Sequence, residues 1–234
     1  MTTHPRRPTS PFLKRSAVVA ALALAATSCS SESPEPPISH PCEAAPGTRE
    51  GKLVRQLLDT DSYRTRVEKS SADLAEGLKE ELRAREEPGR TEYRTSLCSF
   101  SLERPRGTGS DTLSVDFHWT SRESPKGSGR PADTLTYYNV NGLYGESDET
   151  LSTLRVRCEL PGGLDKLARQ NLLVADVANT AYVGTAVKQD VRDRQIRFLY
   201  LMTRHATDAL GCENEPLKKN PVIKGYETPE EAAR

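Results

Sequence analysis

Apolar and polar residues alternate along several stretches of the chain. This alternation predicts half-buried β-strands, because successive side chains of a strand point to opposite faces. The clearest run covers residues 113–119, where four apolar residues alternate with three polar ones. Similar runs include Cys98 and Cys158 and cover residues 134–140 and 172–177. The pattern therefore predicts an antiparallel sheet of about five or more strands.

Three other regions show apolar residues at helical spacing. The first covers residues 53–58, and the second is a stripe that begins at Val67 and ends at Leu82. The third and clearest region covers about residues 187–210, with Gly211 placed as the C-terminal cap of the helix. One apolar stripe on each helix favours packing on one face of the sheet, so the predicted fold class is α+β.

The N-terminal segment has the features of an export signal. Residues 1–28 combine a basic start, an apolar core of about ten residues and a small-residue end, which predicts a secretory signal peptide. The segment Ala26-Thr27-Ser28-Cys29 resembles the lipobox of bacterial lipoproteins. The resemblance implies cleavage before Cys29 and lipidation of its thiol. The alternative is an ordinary secreted protein that is cut nearby.

Composition divides the rest of the chain into three parts. Residues 29–41 are rich in Ser and Pro, and after the lipidated Cys they are predicted to form a flexible tether. Residues 42–216 have the length of a single α+β domain, and their elements fall into two similar halves, 42–140 and 141–216. Residues 217–234 combine Pro with many charges and are predicted to be a loose C-terminal tail.

Charge argues against a nucleic-acid partner. The chain has 33 basic and 33 acidic residues, and four of the basic ones lie within residues 1–28, which hold no acid. After cleavage the chain has 29 basic and 33 acidic residues, a net charge of −4. Nucleic acids and anionic lipids favour clustered Lys and Arg. We therefore expect membrane contact through a lipid anchor, and an envelope protein, peptide or glycan as partner.

Four cysteines remain if Cys29 is lipidated, and an even number in an oxidising compartment predicts two disulfides. They could pair in three ways. The pairs Cys42–Cys98 and Cys158–Cys212 are favoured, because each would join a helix end to a strand. We expect no metal site, because no two cysteines have ligand spacing and the histidines are scattered, and we expect no cofactor.

Three tyrosines close to Asn141 are candidates for ligand binding. Tyr137, Tyr138 and Tyr144 could form a stacking platform for a sugar or a peptide, because tyrosine combines an apolar ring with a polar tip. The alternative is that they belong to the sheet, in which case at least one of them points into the core.

His118 is a further candidate, and Ser114, Asp116 and His118 include the residue types of a hydrolase triad. Residues two apart on a strand are separated by about 6.6–6.8 Å, which is too far for the contacts of a triad. A solvated polar strand face is the simpler interpretation. His205, beside the apolar face of the helix at 187–210, is either a pH-sensitive group or a structural residue with one polar partner.

Short motifs spread over most of the chain carry a family resemblance. They are the lipobox with its Ser/Pro tether, Pro41-Cys42, the block from Arg157 to Gly162, and Leu210-Gly211-Cys212. In these motifs the chain resembles small cysteine-bearing secreted lipoproteins of actinobacteria, many of them uncharacterised. The resemblance implies a location and a cysteine framework, and it transfers no catalytic or binding residue.

The sequence therefore predicts a lipid-anchored protein on the extracellular face of the cell membrane. No catalytic motif is present, which favours a non-enzymatic binding or accessory module of the cell envelope. The alternative is an extracellular hydrolase whose site is assembled only in the fold, with His118 or His205 among its residues.

Overall fold

One antiparallel sheet of eight strands organises the protein, in the order β1-β2-β3-β7-β6-β5-β4-β8. The computed structural model describes residues 40, 42–45, 47–86, 94–104, 111–123, 130–131, 134–182 and 187–234. The predictions for the signal peptide, Cys29 and the tether before residue 40 lie outside these ranges. The strands are β1 (Tyr63–Val67), β2 (Thr95–Leu102), β3 (Thr112–Ser121), β4 (Thr136–Val140), β5 (Leu143–Ser147), β6 (Leu151–Val156), β7 (Asn171–Asn179) and β8 (Ile223–Tyr226).

The three longest helices cover one face of this sheet, which confirms the predicted α+β class. The helices are α1 (Arg49–Leu58), α2 (Ser71–Ala84), α3 (Asp165–Gln170), α4 (Gln189–Leu210) and α5 (Pro229–Ala232). α1, α2 and α4 pack together against the sheet and bury its apolar side. Phe117, Trp119 and Phe198 lie fully buried in this layer. Gly211 has φ 74° and ends α4, as its position in the sequence predicts.

Two disulfides join the helical layer to the sheet. Cys42, ahead of α1, pairs with Cys98 of β2, and Cys158, just after β6, pairs with Cys212 at the end of α4. The Cα–Cα distances are 6.0 and 5.1 Å, so the favoured pairing is confirmed. In the chain-entropy model, closing loops of this length stabilises the fold by about 4 kcal/mol each. The disulfides indicate an oxidising, extracellular environment.

The predicted start of the second apolar stripe, at Val67, is wrong. Val67 ends strand β1 and is 48% exposed. α2 begins later because the side chain of Ser70 accepts a hydrogen bond from the backbone N–H of Asp73, which fixes the helix start. The stripe from Leu74 to Leu82 does face the core.

The prediction of a loose tail at 217–234 is also wrong. Leu217 is 1% exposed, and β8 pairs antiparallel with β4. α5 then begins at the cap Thr228, and its residue Ala232 is buried against tyrosines of β4 and β5. This charged segment packs along the edge of β4 and over the apolar side chains beside it. Its composition does not reveal this packing.

The expected border between two halves, at 140/141, falls inside a hairpin. β4 and β5 pair directly, and Asn141 and Gly142 form the turn with φ values of 54° and 88°. Positive φ at both positions is typical of the tight turn that the Asn-Gly dipeptide favours. β7 of the second half pairs with β3 of the first, so the sheet is continuous across both halves.

Side chains of α2 hydrogen-bond to the β3 backbone at Trp119. Among the described residues, the pairing of β2 with β3 reaches Phe117, whereas β3 continues to Ser121. At Trp119 the backbone N–H donates to Glu81 Oε1 at 3.0 Å, and the backbone carbonyl accepts from the guanidinium of Arg85. The indole N–H of Trp119 donates to the carbonyl of Leu78 at 2.9 Å. These contacts fix α2 on the sheet.

We expect Glu81→Ala to lower the free energy of unfolding by about 1–3 kcal/mol, because it leaves the buried N–H of Trp119 without an acceptor. Chemical denaturation measures the change. Glu80→Ala is the matched control, because Glu80 is the exposed neighbour in the same helix turn and should change stability by less than about 0.5 kcal/mol. Equal effects of the two substitutions would contradict the role of Glu81.

Candidate functional site

The three candidate tyrosines lie on opposite faces of the sheet. Tyr138 points into the helical layer and is fully buried, whereas Tyr137 and Tyr144 lie on the other face, with ring centroids 6.4 Å apart. Tyr137 and Tyr144 are 5% and 8% exposed and pack with Ala232. The fold therefore does not bring the three rings together into one exposed stacking platform.

His118 lies beside the buried carboxylate of Asp176, on the face opposite α1, α2 and α4. Its Nδ1 lies 3.7 Å from Asp176 Oδ2, and the guanidinium of Arg94 lies 3.2 Å from the same oxygen. Thr153 donates a hydrogen bond to Asp176 Oδ1 at 2.7 Å. Ser114, Asp116 and His118 do share this face, but Asp116 accepts its hydrogen bond from Ser96 and not from His118. The triad is not assembled.

His205 contacts an acid in the helical layer. Its Nε2 lies 3.3 Å from Oε1 of Glu50, so the residue joins α4 to the first turn of α1. Burial of Glu50 raises the pKa of its carboxyl, but the hydrogen bond and charge of His205 outweigh this effect and hold the pKa below its usual value. This agrees with the interpretation of His205 as a structural residue with one polar partner.

An open groove of about 650 Å³ lies where α4 begins beside the edge strand β8. We call it the α4–β8 groove; its lining residues are Leu135, Thr136, Gln189, Asp193, Gly225, Tyr226 and Glu227. Gln189 and Asp193 are one helical turn apart and face the same way. Gly225 leaves space at the base of the groove, because it has no side chain. A Cβ there would lie 3.6 Å from Gln189 Nε2 and 3.8 Å from Tyr138 Cε1. Side-chain volume at Gly225 would therefore fill the groove.

A continuous set of hydrogen bonds forms the floor of the α4–β8 groove. The phenol of Tyr138 donates to Asp193 Oδ1 at 3.0 Å, and Gln189 Nε2 donates to Tyr138 Oη and to Asp193 Oδ1, both at 2.8 Å. Thr136 donates to Gln189 Oε1 at 3.3 Å and accepts from Arg192 at 2.9 Å. The polar atoms of the groove are thereby held in fixed positions before any ligand arrives.

The charged groups that line this groove are hydrogen-bond acceptors. Burial, and then the neighbouring Asp193 carboxylate, raise the pKa of Tyr138, so its phenol stays a neutral donor. Both hydrogen bonds to Asp193 end on Oδ1, and Asp193 Oδ2 has no hydrogen bond or ion pair with any described residue. Glu227 adds a second, exposed carboxylate. A ligand that donates hydrogen bonds suits this arrangement.

Of the predicted candidates only Tyr138 bonds to residues that line the groove, through its hydroxyl. Gln189 and Asp193 are not among the candidates predicted from the sequence. Their spacing of four residues at the start of an amphipathic helix does indicate a shared polar face. Gly225 and Tyr226 lie in the segment that was predicted to be a loose tail. Contacts between residues about 51–55 positions apart create the site, and no local pattern predicts them.

A second ionic network holds the segment between β3 and β4 on the face of the sheet opposite α1, α2 and α4. Arg130, between β3 and β4, lies 2.6 Å from Asp148 Oδ2 and 3.3 Å from the fully buried carboxyl of Glu146. Asp148 also accepts hydrogen bonds from the backbone N–H groups of Thr150 and Leu151, each at 2.7 Å. Burial raises the pKa of Asp148, but these three partners outweigh it and hold the pKa below its usual value of 3.8.

Because its folded-state pKa is lowered, Asp148 stabilises the protein above pH 3.8, and this contribution is lost as the pH falls through the folded value. We expect Asp148→Asn to cost about 1–3 kcal/mol at pH 7, with a difference from the natural chain that shrinks below about pH 4. Unfolding curves from pH 7 to pH 2 test this. Asp165→Asn, which alters an exposed pair with Arg169, is the control; a difference that does not depend on pH would contradict the prediction.

Within the described residues, no group of three or more His, Cys, Asp or Glu side chains could hold a metal ion. The helices of that same part of the chain include none with the length and apolar character of a membrane span. Comparison with protein-family models, with curated proteins and with solved structures finds no match to this chain.

Proposed function

We propose that this protein is a lipoprotein of the extracellular membrane face that serves as a non-enzymatic binding or accessory module in the cell envelope. The lipobox at Cys29 supports the lipid anchor, and the two disulfides suit an extracellular domain. The α4–β8 groove is the observation that carries the binding role. Its polar groups bond to one another in a fixed network, which favours recognition over proton transfer.

The ligand class that fits the groove is a hydroxyl-rich glycan of the cell envelope. Two carboxylates, Asp193 and Glu227, offer charge-assisted acceptors for sugar hydroxyl groups. The open shape of the groove admits an internal unit of a polymer. The alternative, an extracellular hydrolase, would place His118 or His205 at the reaction, yet neither histidine is among the described residues that line the groove.

We expect the purified chain to sediment with insoluble envelope glycan, and Asp193→Ala or Gly225→Leu to weaken this binding about tenfold or more. The first substitution removes a charged acceptor, and the second fills the floor of the groove. Asp208→Ala and Gly163→Leu are matched controls at exposed positions away from the groove. Retained binding in both groove variants would place the glycan elsewhere. Absence of binding by the natural chain would remove glycan as the ligand.

The anchor is tested separately. We expect Cys29→Ala to release the protein into the medium, because the lipid-bearing thiol is lost and the acyl chains supply the membrane affinity. Fractionation of cells and medium, followed by detection of the protein, measures the change. Ser31→Ala keeps Cys29 and should remain with the membrane. A Cys29→Ala protein that stays with the membrane fraction would show that another segment anchors it.

A further inference from the structure

Strand β1 forms one free edge of the sheet, at the opposite end from the α4–β8 groove. Among the residues that the structure describes, the strand order ends at β1, which pairs only with β2. Its five residues include four exposed ones, and Val67 at 48% exposure is one of two exposed large apolar residues in the described part of the chain. An edge of this kind offers unpaired backbone groups to another strand.

The register shows which backbone groups face outward. Glu68 donates its N–H to the carbonyl of Leu97, and β1 pairs with β2 so that Val67 lies opposite Cys98. Hydrogen-bonded and non-hydrogen-bonded pairs alternate along an antiparallel ladder. Arg64 and Arg66 therefore bond to β2, whereas Thr65 and Val67 direct their N–H and C=O groups away from the sheet.

The side chains of β1 define the chemistry of a partner. Thr65 lies opposite the core residue Phe100, so Arg64 and Arg66 point to the face opposite the helices. Arg66 pairs with Glu68 at 2.8 Å and remains 78% exposed, and Arg64 has no ion pair with any described residue. Carboxylates on an added strand would meet both guanidinium groups.

The same arginines oppose pairing between two copies of the chain. Only Tyr63, Thr65 and Val67 can form the hydrogen-bonded pairs of an outward antiparallel ladder. In a register centred on Thr65, Arg64 of one copy lies opposite Arg66 of the other, and a shift by two residues places an arginine opposite itself. Like charges directly opposite each other destabilise a strand pair. These registers therefore disfavour a second copy, and the two arginines favour an acidic strand.

We propose that β1 is a docking edge for an extended segment of another protein, with acidic side chains at alternate positions. The segment extends the sheet by one strand: the outward groups of Thr65 and Val67 supply the backbone hydrogen bonds, and Arg64 and Arg66 select the charge. This role is separate from glycan binding in the α4–β8 groove and does not depend on it.

The probe is a blocked seven-residue peptide in which Glu alternates with Val or Thr, and its counterpart with Lys in place of Glu is the control peptide. We expect the purified chain to bind the Glu peptide and not the Lys peptide. In amide hydrogen exchange, the N–H groups of Thr65 and Val67 should slow about tenfold or more when the Glu peptide is added. Those of Arg64 and Arg66 should be protected already, because they bond to β2.

Two variants separate backbone pairing from charge. Thr65→Pro removes an outward N–H and keeps the ladder to β2, so binding of the Glu peptide should weaken about tenfold or more. The double substitution Arg64→Glu and Arg66→Glu should reverse the preference toward the Lys peptide. Lys224→Glu, on the other edge strand, is the matched charge control and should leave the preference unchanged. The charge reversal and the exchange data test the proposal even if Thr65→Pro does not fold.

Three results would overturn the proposal. The first is that the natural chain binds neither peptide or binds both equally. The second is that the Glu peptide binds without added protection at Thr65 and Val67. The third is that the natural chain sediments as a dimer that Thr65→Pro converts to a monomer, which would make a second copy the occupant of the edge.

Discussion

The antiparallel pairing of β3 with β7 is the contact on which the rest of the structure depends. It runs without a break from Leu113 opposite Asn179 to Ser121 opposite Asn171, and it lies in the middle of the sheet. These strands are about 50 residues or more apart in the chain, so their pairing closes a long loop and must be offset by burial. Phe117, Trp119 and Val177 supply that burial on the helical side.

Each flank of the central pair is held by different means. On the β2 flank, the Cys42–Cys98 disulfide and the contacts of Glu81 and Arg85 with Trp119 fix α1 and α2 on the sheet. On the β6 flank, the Cys158–Cys212 disulfide fixes the end of α4. The start of α4 is held by polar contacts to Tyr138 and Thr136. Two grooves beside the end of α1 have volumes of about 360 and 380 Å³, smaller than the 650 Å³ of the α4–β8 groove.

Strands with a regular alternation of apolar and polar residues could be predicted from the sequence, whereas the two edge strands and β5 could not. The alternation around Trp119 and Cys98 predicts β3 and β2, because burial acts on every second residue. Among the described strands, β1 and β8 have a neighbour on one side only and bury little, so their sequences resemble a helix start and a loose tail. The candidate site is even less predictable from the sequence. The sequence predicts Tyr138 for its aromatic ring, yet its buried hydroxyl is the part that bonds to Asp193 in the lining of the α4–β8 groove, and only the fold brings these two residues together.

The edges of the sheet at β1 and β8 differ in charge and in whether a helix lies beside them. This difference argues for two separate partners. On the β8 side, α4 lies beside the edge and the lining of the groove includes two carboxylates. On the β1 side, four of five residues are exposed and two of them are arginines. Seven strand spacings of about 4.8 Å separate the edges, roughly 34 Å in all, which exceeds the Debye length of about 8 Å at physiological salt. Charges at one edge therefore act little on a ligand at the other. If the α4–β8 groove binds a glycan and β1 binds an acidic strand, as we propose, the protein can hold both ligands at the same time.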